Sequence, residues 1–249
     1  MKLFEGRTAM VTGAGKNMGK EIALSFSKNG ANVIVCDYNE AAAKETAEEI
    51  RALGVEAMLA VCDVRDREKI FAYVGEAVEH FGKIDFLVNN AGGSAGLLKK
   101  LTRFVDAEQS TLDFVIDTNL KGAMHCAQAV LPSMIKQRYG KIINISSIAA
   151  VCGLYDRVDY AAAKAGMIGM VKALAMEVGE YNICVNAISP GAIERDGKRG
   201  VHMTYMGENG MGGTPKDIAD TVLFLAQQDF ITGENIVVDG GRSLGPSHR

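Results

Sequence analysis

Short, almost unbroken apolar runs alternate along the chain with longer stretches whose apolar positions recur at helical spacing. TAMVT (8–12), NVIVCD (32–37), VEAMLAV (55–61), DFLVNN (85–90), KIINIS (141–146), ICVNAI (183–188) and NIVVD (235–239) read as strands. The stretches at about 17–29, 39–53, 66–81, 112–138, 160–179 and 215–228 read as helices. Strands continuous in Val, Ile, Leu and Ala belong to a sheet buried on both faces. Strands separated by helices of this length imply βαβ units, whose right-handed crossovers make the sheet parallel. The pattern predicts an α/β fold: one doubly wound parallel sheet of about seven strands flanked by helices. No linker, repeat or low-complexity tract interrupts it, so residues 1–249 are read as a single domain.

One segment leaves this rhythm. Residues 191–214, GAIERDGKRGVHMTYMGENGMGGT, are glycine-rich and lack any sustained period. A loop this long in a compact domain is usually functional. It follows the sixth strand, which puts it at the carboxyl edge of the sheet, where open α/β folds bind ligands.

Composition narrows the class. With 249 residues, 48% hydrophobic and a net charge of −3, the chain is globular rather than disordered. That charge gives no footprint for nucleic acid or an anionic membrane surface. No apolar run approaches the ~18 residues of a membrane span. The opening MKLFEGRTAM reaches Glu5 and Arg7 before the apolar core of a signal peptide could form, so a cytoplasmic protein is expected. Cys36, Cys62, Cys126, Cys152 and Cys184 contain no CxxC pair and read as reduced, mostly buried thiols. His80, His125, His202 and His248 are scattered, and no metal site is expected.

The first strand runs into TGAGKNMG (12–19) and then a helix. A glycine-rich turn at a helix start brings backbone N–H groups and partial positive charge to a pyrophosphate. Asp37 closes the second strand 18 residues after Gly19, close to the ~20 expected of an acid gripping a ribose hydroxyl. An acid there repels a 2′-phosphate and favours NAD over NADP. This turn resembles the TGxxxGxG motif of the short-chain dehydrogenase/reductase family. NNAG at 89–92, Asp63-Val64, Asn119, Ser147, Tyr160, Lys164 and the Pro190-Gly191 turn match further motifs of that family. The resemblance covers about 1–240 and implies a Rossmann-like fold. It implies a cofactor site made of Gly13, Lys16, Asn17, Met18, Gly19, Asp37, Asp63, Val64, Asn90, Ala91, Gly92, Tyr160, Lys164, Pro190, Gly191 and Ile193. Two positions depart from the family pattern. Asn17 replaces the central glycine of the turn, and Asn is among the few residues that tolerate the left-handed region. Arg195 stands in PGAIER where the family often has Thr. Lys16 is a basic residue of the kind NADP-preferring relatives carry, but Asp37 opposes that preference.

Tyr160 and Lys164 are four residues apart in YAAAK, on one face of a helix. An ammonium beside a phenol stabilises the phenolate, which predicts a lowered tyrosine pKa and a proton carrier near neutral pH. Ser147 ends the fifth strand 13 residues before Tyr160, the family's spacing. Its hydroxyl can hold a substrate oxygen. Asn119 sits in a helix it does not favour, where local backbone bonding is its plainest role. The resemblance implies instead that it holds a water linking Lys164 to a proton relay. Together these residues predict hydride transfer between a nicotinamide cofactor and a secondary alcohol or ketone.

The substrate is less legible. Arg157, Arg195, Lys198, Arg199 and His202 gather positive charge near the expected pocket and suit a carboxylate or phosphate. Asp156, Asp159, Glu194 and Asp196 interleave with them, and a solvated mixed-charge surface is the stronger reading of these residues. Met203, Met206 and Met211 offer an apolar wall instead. The leading expectation is a small polar alcohol, sugar-like or a hydroxy acid. An NADPH-dependent 3-oxoacyl-(acyl-carrier-protein) reductase is the second reading, and a non-catalytic NAD-binding regulatory protein the third. The helix at 160–179 is apolar around most of its circumference. With the resemblance, it implies a homo-oligomer, dimer or tetramer, paired through the helices near 112–138 and 160–179 or the last strand.

Overall fold

A computed structural model describes residues 2–198 and 211–245. Seven parallel strands form one sheet in the order β3-β2-β1-β4-β5-β6-β7. They are β1 (Thr8–Thr12), β2 (Asn32–Asp37), β3 (Ala57–Val61), β4 (Phe86–Asn89), β5 (Gly140–Ile145), β6 (Ile183–Pro190) and β7 (Asn235–Val238). The helices are α1 (Asn17–Lys28), α2 (Glu40–Ala52), α3 (Arg67–Phe81), α4 (Gln109–Ile116), α5 (Gly122–Gln137), α6 (Ala149–Cys152), α7 (Val158–Val178) and α8 (Pro215–Gln227). The doubly wound parallel sheet predicted from the pattern is therefore present.

The pleat of each strand sends alternate side chains to opposite faces, and both faces are covered. Ala9 and Val11 of β1 pack with Ile22, Phe26, Ile50 and Val222 of α1, α2 and α8. Met10, between them, packs on the other face with Ile70, Val130 and Val171 of α3, α5 and α7. The outer strands β3 and β7 are only half-buried.

Three local features differ from the expected pattern. The helix expected over 112–138 begins at Gln109 and is broken by a π turn, Asp117–Lys121, between α4 and α5. α6 is a short helix that the pattern did not show. All five cysteines are free thiols, but Cys152, on α6, is exposed.

The amino edge of the sheet is closed by charge and aromatic packing. Asp85, fully buried, accepts from Arg7 Nη1 at 2.6 Å and from Thr8 N at 3.0 Å. The Arg7 guanidinium lies 4.3 Å from the Tyr139 ring centroid. Lys141 Nζ donates to Gln228 O and Asp229 Oδ1, both at 2.7 Å. At the carboxyl edge the order reverses between β1 and β4. That reversal is the switch point where doubly wound sheets open a crevice.

Candidate active site

Ser147 follows β5 at the carboxyl edge, and its Oγ accepts from Ala149 N at 3.1 Å, starting α6. Its neighbour Ser146 faces the other way and donates to Lys164 O at 3.0 Å, fastening α7 to the strand end. α7 begins two residues before Tyr160, at Val158, with Asp159 Oδ1 accepting from Tyr160 N at 2.7 Å. Lys164, one turn further on, is buried. Its Nζ donates to Ile145 O at 2.7 Å and lies 5.7 Å from the Tyr160 ring centroid. Ser147, Tyr160 and Lys164 are thus drawn together where β5 meets α7.

Burial governs the electrostatics of this trio. Loss of water raises the Tyr160 phenol above its ordinary value; a hydrogen bond with Ser147 and the charges of Arg195 and Arg157 work against the rise. Burial lowers the Lys164 ammonium to about 7. The expected lowering of the tyrosine pKa is therefore corrected: burial outweighs the favourable contacts around the phenol. The desolvation that lifts the phenol also weakens the lysine's hold on its own proton.

Asn119 occupies the π turn and is buried. Its Nδ2 donates to Val115 O at 2.8 Å and to Gly93 O at 2.7 Å, while Oδ1 accepts from Gly93 N at 3.0 Å. The bond to Val115 is the local backbone bonding expected of it. The pair to Gly93 staples the loop after β4 onto the helix. A Cβ on Gly92 would collide with Asn119 Oδ1 and stand 3.2 Å from Lys164 Nζ, so only glycine fits beside this lysine.

The turn after β1 is built on two left-handed residues, Gly13 (φ 64°) and Asn17 (φ 50°). Thr12 Oγ1 accepts from Asn90 N at 3.0 Å and Ala91 N at 2.9 Å; Asn90 Nδ2 donates back to Thr12 O at 2.9 Å. A Cβ on Gly13 would touch Ala91 Cα at 3.0 Å, and one on Gly19 would collide with Gly13 O. Asp37, buried at the end of β2, accepts from Gly15 N at 2.8 Å and Asn39 N at 2.9 Å. Asp63 is held by Arg65, whose guanidinium lowers its pKa, and Val64 O lies 3.0 Å from His125 Nδ1. Met18 is half-buried against the core, and Lys16 is exposed. Pro190 ends β6, Gly191 packs against Asp239, and Ile193 bridges to Gly213.

Two contacts were not visible in the sequence. Asn17 Nδ2 donates to Asp196 Oδ1 at 3.1 Å, and Asp196 N donates to Asn17 Oδ1 at 2.8 Å, a reciprocal pair between residues 179 positions apart. Arg157 Nη1 donates to Ser94 Oγ. Lys198 closes a tight turn with Arg195; Arg199, His202, Met203 and Met206 lie outside the described residues. Met211 is described at the far end of the loop.

These residues fit a dinucleotide. Among the described residues no side chain caps the start of α1, and its first turn holds no acid, which suits its N–H groups to an anion. Asp37 offers a carboxylate beside the turn. Asn90 Oδ1 is buried without a partner, an acceptor that a bound group could satisfy. Among the described residues no group of His, Cys, Asp and Glu could hold a metal ion, and no helix is long and apolar enough to cross a membrane.

Comparison with known proteins agrees with this geometry. A family model described as enoyl-(acyl carrier protein) reductase matches residues 13–243. A (2S)-[(R)-hydroxy(phenyl)methyl]succinyl-CoA dehydrogenase subunit of Thauera aromatica is 39% identical, aligned over 97% of this chain and 98% of its own length. A 3-oxoacyl-[acyl-carrier-protein] reductase of Chlamydia muridarum is 41% identical, over 96% and 98%. Among solved structures, NAD+-bound xylitol dehydrogenase superposes with a TM-score of 0.86 at 32% identity, covering 96% of this chain and 100% of that one. The chain belongs to the short-chain dehydrogenase/reductase family and is an oxidoreductase.

Proposed function

We propose that the chain is an NAD-dependent dehydrogenase that interconverts a secondary alcohol and a ketone, acting on a small polar, sugar-like or hydroxy-acid substrate. The convergence of Ser147, Tyr160 and Lys164 at the β5–α7 junction supports this reading more than any other observation. When bound, the nicotinamide supplies or accepts the hydride. Ser147 Oγ holds the substrate oxygen and orients the carbinol. In oxidation the Tyr160 phenolate takes the hydroxyl proton; in reduction the phenol returns it. Lys164, fixed by Ile145 O, stabilises the phenolate when protonated and binds the nicotinamide ribose. Gly13, Lys16, Asn17, Met18, Gly19, Asp63, Val64, Asn90, Ala91, Gly92, Pro190, Gly191 and Ile193 line the dinucleotide. Asn119 positions the loop that carries Gly92 and Gly93.

Asp37 supports NAD over NADP, because its carboxylate is held at the end of β2 by two backbone donors and opposes a 2′-phosphate. The competing reading is an NADPH-dependent 3-oxoacyl reductase. It is favoured by the names of relatives about 40% identical and by the exposed Lys16 at the turn. One experiment addresses both points. A panel of polyols, hydroxy acids and oxoacyl thioesters is assayed with each cofactor by nicotinamide absorbance, using the parent and Tyr160→Phe. Turnover of an alcohol with NAD is expected, falling at least about 1,000-fold in Tyr160→Phe with NADH binding retained. Substantial turnover by that variant removes the assignment, and a preference for NADPH with thioesters selects the second reading.

α7 supports self-association. Its outer face presents the small residues Ala162, Ala165, Gly169 and Ala173 together with Met176, 86% exposed. We read this face as one that packs on a second copy of the chain.

A further inference from the structure

Two arginines on different elements act electrostatically on the Tyr160 phenol, against the rise that burial imposes. Arg157, half-buried, precedes α7 by one residue and lies nearly one turn before Tyr160. Its Nη1 donates to Ser94 Oγ, and Ser94 is two residues beyond Gly92, which is pressed against Lys164 Nζ. The guanidinium is therefore tied to the loop that walls the lysine. Arg195 comes from the loop after β6, in a tight turn with Arg195 N donating to Lys198 O at 3.2 Å and Lys198 N to Arg195 O at 2.9 Å.

In the sequence Asp156, Asp159, Glu194 and Asp196 interleave with these arginines and read as a solvated mixed-charge surface. Two of those acids are engaged by other donors. Asp159 Oδ1 accepts from Tyr160 N, and Asp196 Oδ1 accepts from Asn17 Nδ2. Among the described residues neither arginine is ion-paired.

The two departures from the family pattern also become one feature. Asn17 stands where the family has glycine, and Arg195 where it often has Thr. In the structure Asn17 clasps Asp196, the residue next to Arg195. Asp196 (φ 50°) and Gly197 (φ 69°) both take left-handed backbone to make the turn. Asn17 is thus a positioning residue that fixes the turn presenting Arg195 beside the dinucleotide crevice.

We propose that Arg157 and Arg195 form a subsite for an anionic group, carboxylate or phosphate, carried by the secondary alcohol or ketone substrate. This rests on the reading of Tyr160 as the residue that moves the proton. Guanidinium forks bind either anion in a bidentate manner. Ser94 sets the orientation of one fork, and the Asn17–Asp196 clasp sets the approach of the other.

The test measures oxidation of 3-hydroxybutyrate, glycerol 3-phosphate and neutral methyl 3-hydroxybutanoate by the full chain, Arg157→Gln, Arg195→Gln and Arg157→Lys. The parent is expected to favour one anionic alcohol over the ester by at least about 10-fold in kcat/KM. Each Gln variant should cut that ratio about 10- to 100-fold, mainly through KM, with partial retention in Arg157→Lys. The preferred anion tells carboxylate from phosphate. A parent that prefers the ester overturns the subsite, as does a ratio that survives in both Gln variants while all rates fall together. If none of the three alcohols is oxidised, the reaction assignment fails for these alcohols, and thermal protection by malonate and by glycerol 3-phosphate decides the subsite separately. Protection of the parent that disappears in both Gln variants upholds it; no protection of the parent overturns it.

Discussion

Among the described residues no acid pairs with Lys164, whose Nζ donates to the Ile145 carbonyl at 2.7 Å. Burial lowers its pKa from 10.5 to about 7. The unfolded chain binds this proton more tightly than the folded one, so folding is penalised where the unfolded lysine is charged. The penalty is absent above about pH 10.5, grows as pH falls toward 7, and stays constant below that. Replacing Lys164 with Met removes it. The melting temperature of Lys164→Met relative to the parent should therefore rise as pH is lowered from about 10 to about 7. A difference that is flat or reversed over that window contradicts the buried, proton-shedding lysine. The same position could be picked out from YAAAK alone. The sign of its electrostatics could not, because burial is set by Gly92 and Ile145, which the sequence places 72 and 19 residues away.

At the scale of the element, legibility follows what each segment buries. Strands covered on both faces need unbroken apolar runs, so β1 and β2 match their expected limits and the others shift by a residue or two. The π turn at Asp117–Lys121 left no trace in the pattern, since one extra residue in a helical turn changes hydrogen bonding more than periodicity. Side-chain contacts between distant segments, such as Asn17 with Asp196 and Arg157 with Ser94, also carry no periodic signal. α7 shows the converse case. Its apolar circumference suggested burial on several sides, and α7 packs on β6, α6, α4 and the π turn while Ala162, Ala165, Gly169, Ala173 and Met176 keep solvent contact. Ala173→Glu brings like charges together if two such faces meet across a twofold axis. It should raise the dissociation constant of the oligomer at least about 100-fold, read by light scattering against dilution, with the fold intact by circular dichroism. An unchanged mass at every concentration would remove α7 from the interface.

Across the whole molecule, the two edges of the sheet have different tasks. The amino edge is sealed by Asp85, Arg7, Tyr139, Lys141 and Asp229. The carboxyl edge carries Ser147, Tyr160, Lys164, Asp37 and the glycine turn. Asp85→Ala strips Arg7 and Thr8 N of their buried acceptor. It should cost about 2–3 kcal/mol, less than a fully buried pair because Arg7 is 38% exposed. For a chain of this size that lowers the melting temperature by roughly 5–10 °C. The cofactor dissociation constant should stay within about twofold, and a large change in it would show that the edges are coupled.

The clasp between Asn17 and Asp196 bears on how this chain could diversify. It joins the turn proposed to meet the dinucleotide to the turn that presents Arg195, so one amide spans the proposed cofactor and substrate sites. A change at Asn17 would alter substrate choice without touching any group that meets the substrate. Selection for a new substrate could then act through the nucleotide turn as readily as through the pocket wall.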